Sequence, residues 1–150
     1  MPANSEPTAK ALEKFLVHQE KYQAAVRRQH VPTANREILK VGAALGQLTA
    51  TPEGRDILEN MLRNPSAYLR LRAAGKVLAW APDRALPVLG KLLVESLGEE
   101  TSVDERIGIR VEAEGWLFQH FGIRNFDPDR LIEPMRAYGV ELPRRKQWET

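Results

Sequence analysis

Apolar residues along this chain recur every three or four positions and almost nowhere alternate, which predicts helices and little or no sheet. The clearest stretch runs from Asn64 to Pro82. Leu69, Ala73, Val77 and Trp80 fall on one helical face, with Leu71, Ala74 and Leu78 beside them. Asn64 or Ser66 can cap its start, Pro65 suits a first turn, and Pro82 is expected to end it. Ala73, Ala74 and Gly75 are small, which suits a helix packed on both sides.

The same spacing places further helices around it. A first helix over 9–28, capped by Thr8, carries Leu12, Phe15, Leu16, Tyr22 and Val26, with Gln19 breaking the stripe. A second, over 34–49 after Pro32 and Thr33, carries Ile38, Val41, Leu45 and Leu48; Gly42 and Gly46 are expected to allow close helix packing. Thr51-Pro52-Glu53 is a compact start signal for a third helix over 52–63, which buries Ile57, Leu58, Met61 and Leu62. The Asn64–Pro82 stretch is the fourth. Asp83 is expected to cap a fifth over 84–97, with Leu86, Leu89, Leu92 and Leu93 inward and Pro87 near its first turn. Ser102 and Glu105 form a capping box for a sixth over 103–121, with Ile107, Val111, Leu117, Phe118 and Phe121 on its stripe, Glu114 as a gap and Gly122 as C-cap. Asp127-Pro128 opens a short last helix over 128–138 that Pro134 should kink or divide. The expected fold is all-α: one domain over 1–150, about three helical hairpins, a short C-terminal helix and a tail, with 1–7 and 144–150 as flexible ends.

Two motifs carry a resemblance. Leu69-Arg70-x-x-Ala73-Ala74 resembles the V-R-x-x-A-A core of the second helix of a HEAT repeat, with Leu in the Val position. Pro82-Asp83-Arg84-Ala85-Leu86-Pro87-Val88-Leu89 resembles the P-E-x-A-x-P-x-L opening of the next repeat. The block from Leu58 to Leu93, about a quarter of the chain, is similar to a small bacterial HEAT-like family of unknown function. Some members of that family are thought to be immunity proteins encoded beside polymorphic toxins. The resemblance implies a short HEAT-like stack, an Arg70 that pairs with carboxylates or carbonyls between repeats, and a protein partner such as a cognate toxin.

Composition narrows the function classes. Charged residues at 28% and hydrophobic ones at 43% describe a globular chain rather than a disordered one. A net charge of +2 is well short of an obligate nucleic-acid binder. With no cysteine there is no disulfide and no thiolate metal site, which fits a cytoplasmic location. No apolar run is long enough for a membrane span or a signal peptide. His18, His30 and His120 are far apart, and none has a His or acid four residues on. No phosphate-cradling glycine loop or nucleophile elbow occurs. No catalytic, cofactor or metal residue is therefore assigned, and an enzyme is the class least expected.

Charge is distributed unevenly. Between residues 60 and 94, six cations stand against Asp83 alone; between 95 and 114, seven acids stand against Arg106 and Arg110. Either the blocks neutralise each other between adjacent hairpins, or one faces a partner of opposite charge. In the second case Glu99, Glu100, Asp104, Glu105, Glu112 and Glu114, with Trp116, are the candidate contacts for a protein, for example a toxin nuclease with a basic cleft. Arg63, Arg70, Arg72, Lys76 and Arg84 are the candidate contacts for nucleic acid, as in DNA-repair glycosylases built on HEAT-like stacks. A third possibility is a subunit that extends a larger assembly. The cations on the first helix, Lys10, Lys14, Lys21, Arg27 and Arg28, read as a solvated face. Trp80 is expected in the core, and Trp148 lies in a basic tail.

Overall fold

A computed structural model describes residues 5–99 and 101–145, and every regular element among them is helical. Local chemistry sets the boundaries. Ser5, not Thr8, caps α1 (Glu6–Arg27): its Oγ accepts from the Thr8 amide, and Thr8 itself is buried. The chain turns at Gln29, whose φ is 57°, into α2 (Val31–Thr49), where His30 Nδ1 accepts from the Thr33 amide. Thr51 caps α3 (Pro52–Met61), and Ser66 caps α4 (Ala67–Val77).

The helix α4 stops before Pro82 is reached. Pro82 instead opens α5 (Pro82–Leu92) at a position where a helix needs no N–H. Ala81 is the cap residue, so Asp83 is not; it sits in the first turn, where its charge complements the helix dipole. The capping box of Ser102 and Glu105 starts α6 (Val103–Phe121), and Gly122 ends it in the left-handed region at φ 67°. A 3-10 turn (Pro128–Leu131) leads into α7 (Ile132–Arg136). Pro134 falls in the first turn of α7, so the division comes ahead of it. Of the ends expected to be flexible, Ser5 and Glu6 form the start of α1, and the Arg145 amide donates to Asp129 Oδ1 at 2.8 Å. The remainder of both ends, with Trp148, lies outside the described residues.

Three helix pairs follow one another, α1 with α2, α3 with α4 and α5 with α6, and neighbouring pairs pack in sequence. One apolar core links them all. Phe15, Leu48, Leu58, Leu71, Leu86, Leu89, Leu92, Ile109, Leu117 and Met135 are fully buried within it. Each such side chain contributes about 1.5–3 kcal/mol by leaving water. The helix α4 touches α3, α5 and α6, which explains its run of small residues. The stack also closes on itself, because α1 reaches α6.

Several expected faces are corrected. On α6 the buried residues are Glu105, Ile109, Ala113, Leu117 and Phe118, while Ile107 and Val111 are 56% and 64% exposed. Bulky aliphatics marked the wrong side, because small Ala113 and a paired Glu105 face the neighbours. On α1, Gln19 is fully buried rather than a break in the stripe, and Leu16 is exposed. Trp80 is half-buried against the core. Gly42 and Gly46 meet no neighbour: a Cβ at either would find open space. The close approach lies at Gly54, where a Cβ would stand 1.9 Å from the Leu48 carbonyl oxygen. Among the described residues no helix is long and apolar enough to cross a membrane.

Candidate protein-binding groove

The second helix of each pair contributes to one surface. Between α2 and α4 runs a hollow of ≈ 160 Å³, with Ile38, Val41, Gly42 and Leu45 on one wall. Leu71, Arg72, Gly75 and Lys76 form the other wall, and Glu112 and Trp116 of α6 close it. The Trp116 indole lies directly on Gly75, so that a Cβ there would stand 2.8 Å from the ring. Gly75 thus seats the indole. Beyond Trp116 the surface continues into a second hollow of ≈ 290 Å³, where Gln119 and His120 face Leu78 and Ala79.

Polar groups at this groove are tightly placed. Arg72 is buried beneath it; its Nε donates to Gln19 Oε1 at 2.9 Å and its Nη1 to Glu112. The guanidinium also lies over the Tyr22 ring, 5.3 Å from the centroid. Its Nη2 is buried and has no hydrogen-bond partner among the described residues. Lys76, half-buried on the same wall, forms no ion pair among them.

The acidic candidates do not share a face. Glu105 is 1% exposed, and its Oε1 accepts from Arg27 Nε and from the Ser102 amide, each at 3.0 Å. A partner cannot touch it without opening the contact between α1 and α6. Glu112 is paired with Arg72 in the groove, and Glu114 is paired with Arg145 at 2.9 Å. Glu114 lines a different hollow, against Leu93 and Leu131. Asp104 is exposed and accepts from Gln29 Nε2 at 3.0 Å. Glu99 is exposed; Glu100 lies outside the described residues.

The basic candidates are likewise dispersed. Arg70 donates to the carbonyls of Asn64 and Pro65 and to the Glu95 carboxylate. Arg84 pairs with Glu59 at 3.0 Å, and with Arg63 it lines a hollow between α3 and α5. Only Arg72 and Lys76 reach the groove. Two of the bonds, Arg70 with Glu95 and Arg72 with Glu112, join the basic block to the acidic one.

The histidines are separate. His18 Nδ1 lies 2.6 Å from Glu37 Oε2 and ties α1 to α2. Burial opposes ionisation of Glu37, but the His18 hydrogen bond with the charges of Lys40, His18 and Lys21 outweighs it, holding this carboxyl below its ordinary value. His30 caps α2, and His120 is exposed with its ring edge-on to Phe121. Burial pushes the Tyr68 phenol up, and the Glu105 charge adds to the effect. No cluster of three or more His, Asp or Glu that could hold a metal occurs among the described residues.

Sequence reasoning named Arg72, Lys76, Glu112 and Trp116 but assigned them to opposing functions, and it missed the groove that joins them. It also missed Gln19. The available signal was its four-residue register with Ala11 and Phe15, both buried. The chain matches no family model, no curated protein and no solved structure.

Proposed function

We propose that this chain is a protein-binding helical module whose α2–α4–α6 groove receives a segment of its partner. One observation carries the proposal: a largely apolar groove between α2 and α4, with bare backbone at Gly42 on its α2 wall. Stacked helix pairs commonly present such a surface to other proteins. The HEAT-like motifs of α4 and α5 support a finer assignment, an immunity protein acting in a bacterial cytoplasm that neutralises a cognate toxin by covering its active site. Occlusion needs no catalytic group on this chain. The groove replaces the acidic block as the contact surface, because Glu105, Glu112 and Glu114 are committed to internal pairs. The same dispersal argues against a nucleic-acid track, which needs several cations in line with phosphates.

The test is capture by the tagged full-length chain from lysate of the cells that make it, with and without nuclease. One stoichiometric protein that survives nuclease and moderate salt is the expected result. A heterogeneous nucleic-acid signal that vanishes with nuclease overturns the proposal.

A further inference from the structure

We infer that the outer ridge of α6 joins two copies of this chain as a parallel, two-fold-symmetric pair. Val103, Ile107 and Val111 follow one another at four-residue spacing on α6 and are 59%, 56% and 64% exposed. Among the described residues no other helix bears three exposed aliphatic side chains in one row. Single exposed apolar residues are ordinary, but a continuous row marks a contact surface, and the outermost helix of a stacked array otherwise turns polar groups to water. A row of this spacing packs into the groove beside the same row on a second helix. That groove is open here: Gly108 stands beside Ile107, and a Cβ at Gly108 would meet nothing. Ile107 of one copy therefore fits over Gly108 of the other, and the reverse, as a two-fold interface requires.

Charge fixes the occupant. Arg106 and Arg110 line one side of the row and donate to the carbonyls of Thr101 and Glu95, with no carboxylate partner among the described residues. Asp104 lies on the other side, exposed, and accepts from the uncharged Gln29 side chain. Residues two apart on a helix do not face each other, so Asp104 and Arg106 do not neutralise one another within one chain. When two such helices lie parallel, the arginine side of each meets the aspartate side of the other; when they lie antiparallel, arginine meets arginine. The row thus matches a copy of itself in one orientation. Glu112 and Trp116 project from another side of α6, so the pair leaves the α2–α4–α6 groove open and stands independently of its assignment.

The test is the oligomeric state of the full-length chain, read by sedimentation velocity from about 5 µM to about 0.5 mM; one row of three side chains is smaller than a standard interface, so a reversible dimer within that range is expected. Ile107→Glu is expected to weaken the dimer at least about tenfold. Asp104→Arg is expected to weaken it by a smaller factor, since arginine then faces arginine. Both positions are exposed in the single chain, and circular dichroism checks that each variant folds. The chain has no cysteine, so Ile107→Cys introduces the sole thiol. Under mild oxidation it is expected to give a disulfide-linked dimer at least about tenfold faster than Leu39→Cys, a control on α2 at a residue 75% exposed. A protein that stays monomeric over the whole range, a dimer that Ile107→Glu leaves intact, or equal rates of cross-linking at the two positions overturns the inference.

Discussion

Gly54→Ala tests the tightest junction in the fold. Gly54 lies in the first turn of α3, and an added Cβ would stand 1.9 Å from the Leu48 carbonyl oxygen, 2.5 Å from its carbon and 2.7 Å from its Cα. These are backbone atoms, so no rotamer change relieves the clash; α3 must move away from the end of α2 by more than an ångström. The corner it would leave holds two hydrogen bonds. Thr51 Oγ1 accepts from the Gly54 amide at 3.0 Å, and Arg55 Nη1 donates to the Thr49 carbonyl at 2.9 Å. Overpacking costs about 1–3 kcal/mol, a lost cap about 1, and a weakened charged hydrogen bond about 1.5. Alanine returns about 1 kcal/mol of helix propensity. The net loss is about 3 kcal/mol, a fall in Tm of roughly 6–12 °C for a chain of this size. The control is Gly46→Ala, where a Cβ meets nothing; the same propensity gain, unopposed, should raise Tm by about 2–4 °C. Thermal melts followed by circular dichroism read both. Coincident melting of Gly54→Ala and wild type would refute the α2–α3 junction described above.

Two further outcomes are expected. Glu105→Ala removes half of the capping box of α6 and the acceptor for Arg27, so it should cost about 2 kcal/mol in urea unfolding, while Asp104→Ala, at an exposed neighbour, should cost less than about 0.5. Glu37 has a depressed folded-state pKa, so the stability its ionised form contributes is present above the unfolded value of 4.5 and is lost as pH falls through the lower folded value; the gap between wild type and Glu37→Gln should therefore be widest near neutrality and close in acid, and a gap that widened on acidification would reverse the sign of this argument.

The helices were legible because their signals are local. Thr51, Ser66, Ser102 and Gly122 each act within a few residues of themselves, and the apolar period needs only one turn of context. Which face turned inward was less legible. Gln19, Arg72 and Glu105 are buried because each found a partner far along the chain: Arg72 is 53 residues from Gln19, and Arg27 is 78 from Glu105. A polar residue with a distant partner looks from the sequence like an interruption. The charge blocks misled for the same reason. A linear count cannot show that Arg70 meets Glu95 or that Arg72 meets Glu112. Trp116 and Gly75 were both visible, but the seat that one makes for the other was not, since it needs α4 and α6 in contact.

The contact between α1 and α6 also sets how the molecule comes apart. In a linear array of helix pairs each unit touches only its neighbours, so an end pair can peel away while the rest stays folded. Here Arg27 holds Glu105 and Gln29 holds Asp104, which ties the first pair to the third. Neither end is a free end. Peeling α1 would expose Phe15 and also strip Glu105 of its counter-ion, so fraying is coupled to loss of the whole core. The contact spans half the chain and requires a long loop to close, which slows folding relative to helical proteins built from local contacts alone. The same tie limits growth of the array: an extra hairpin inserted between the first and the third would pull Arg27 away from Glu105. Among the described residues the three pairs are thereby held as one unit.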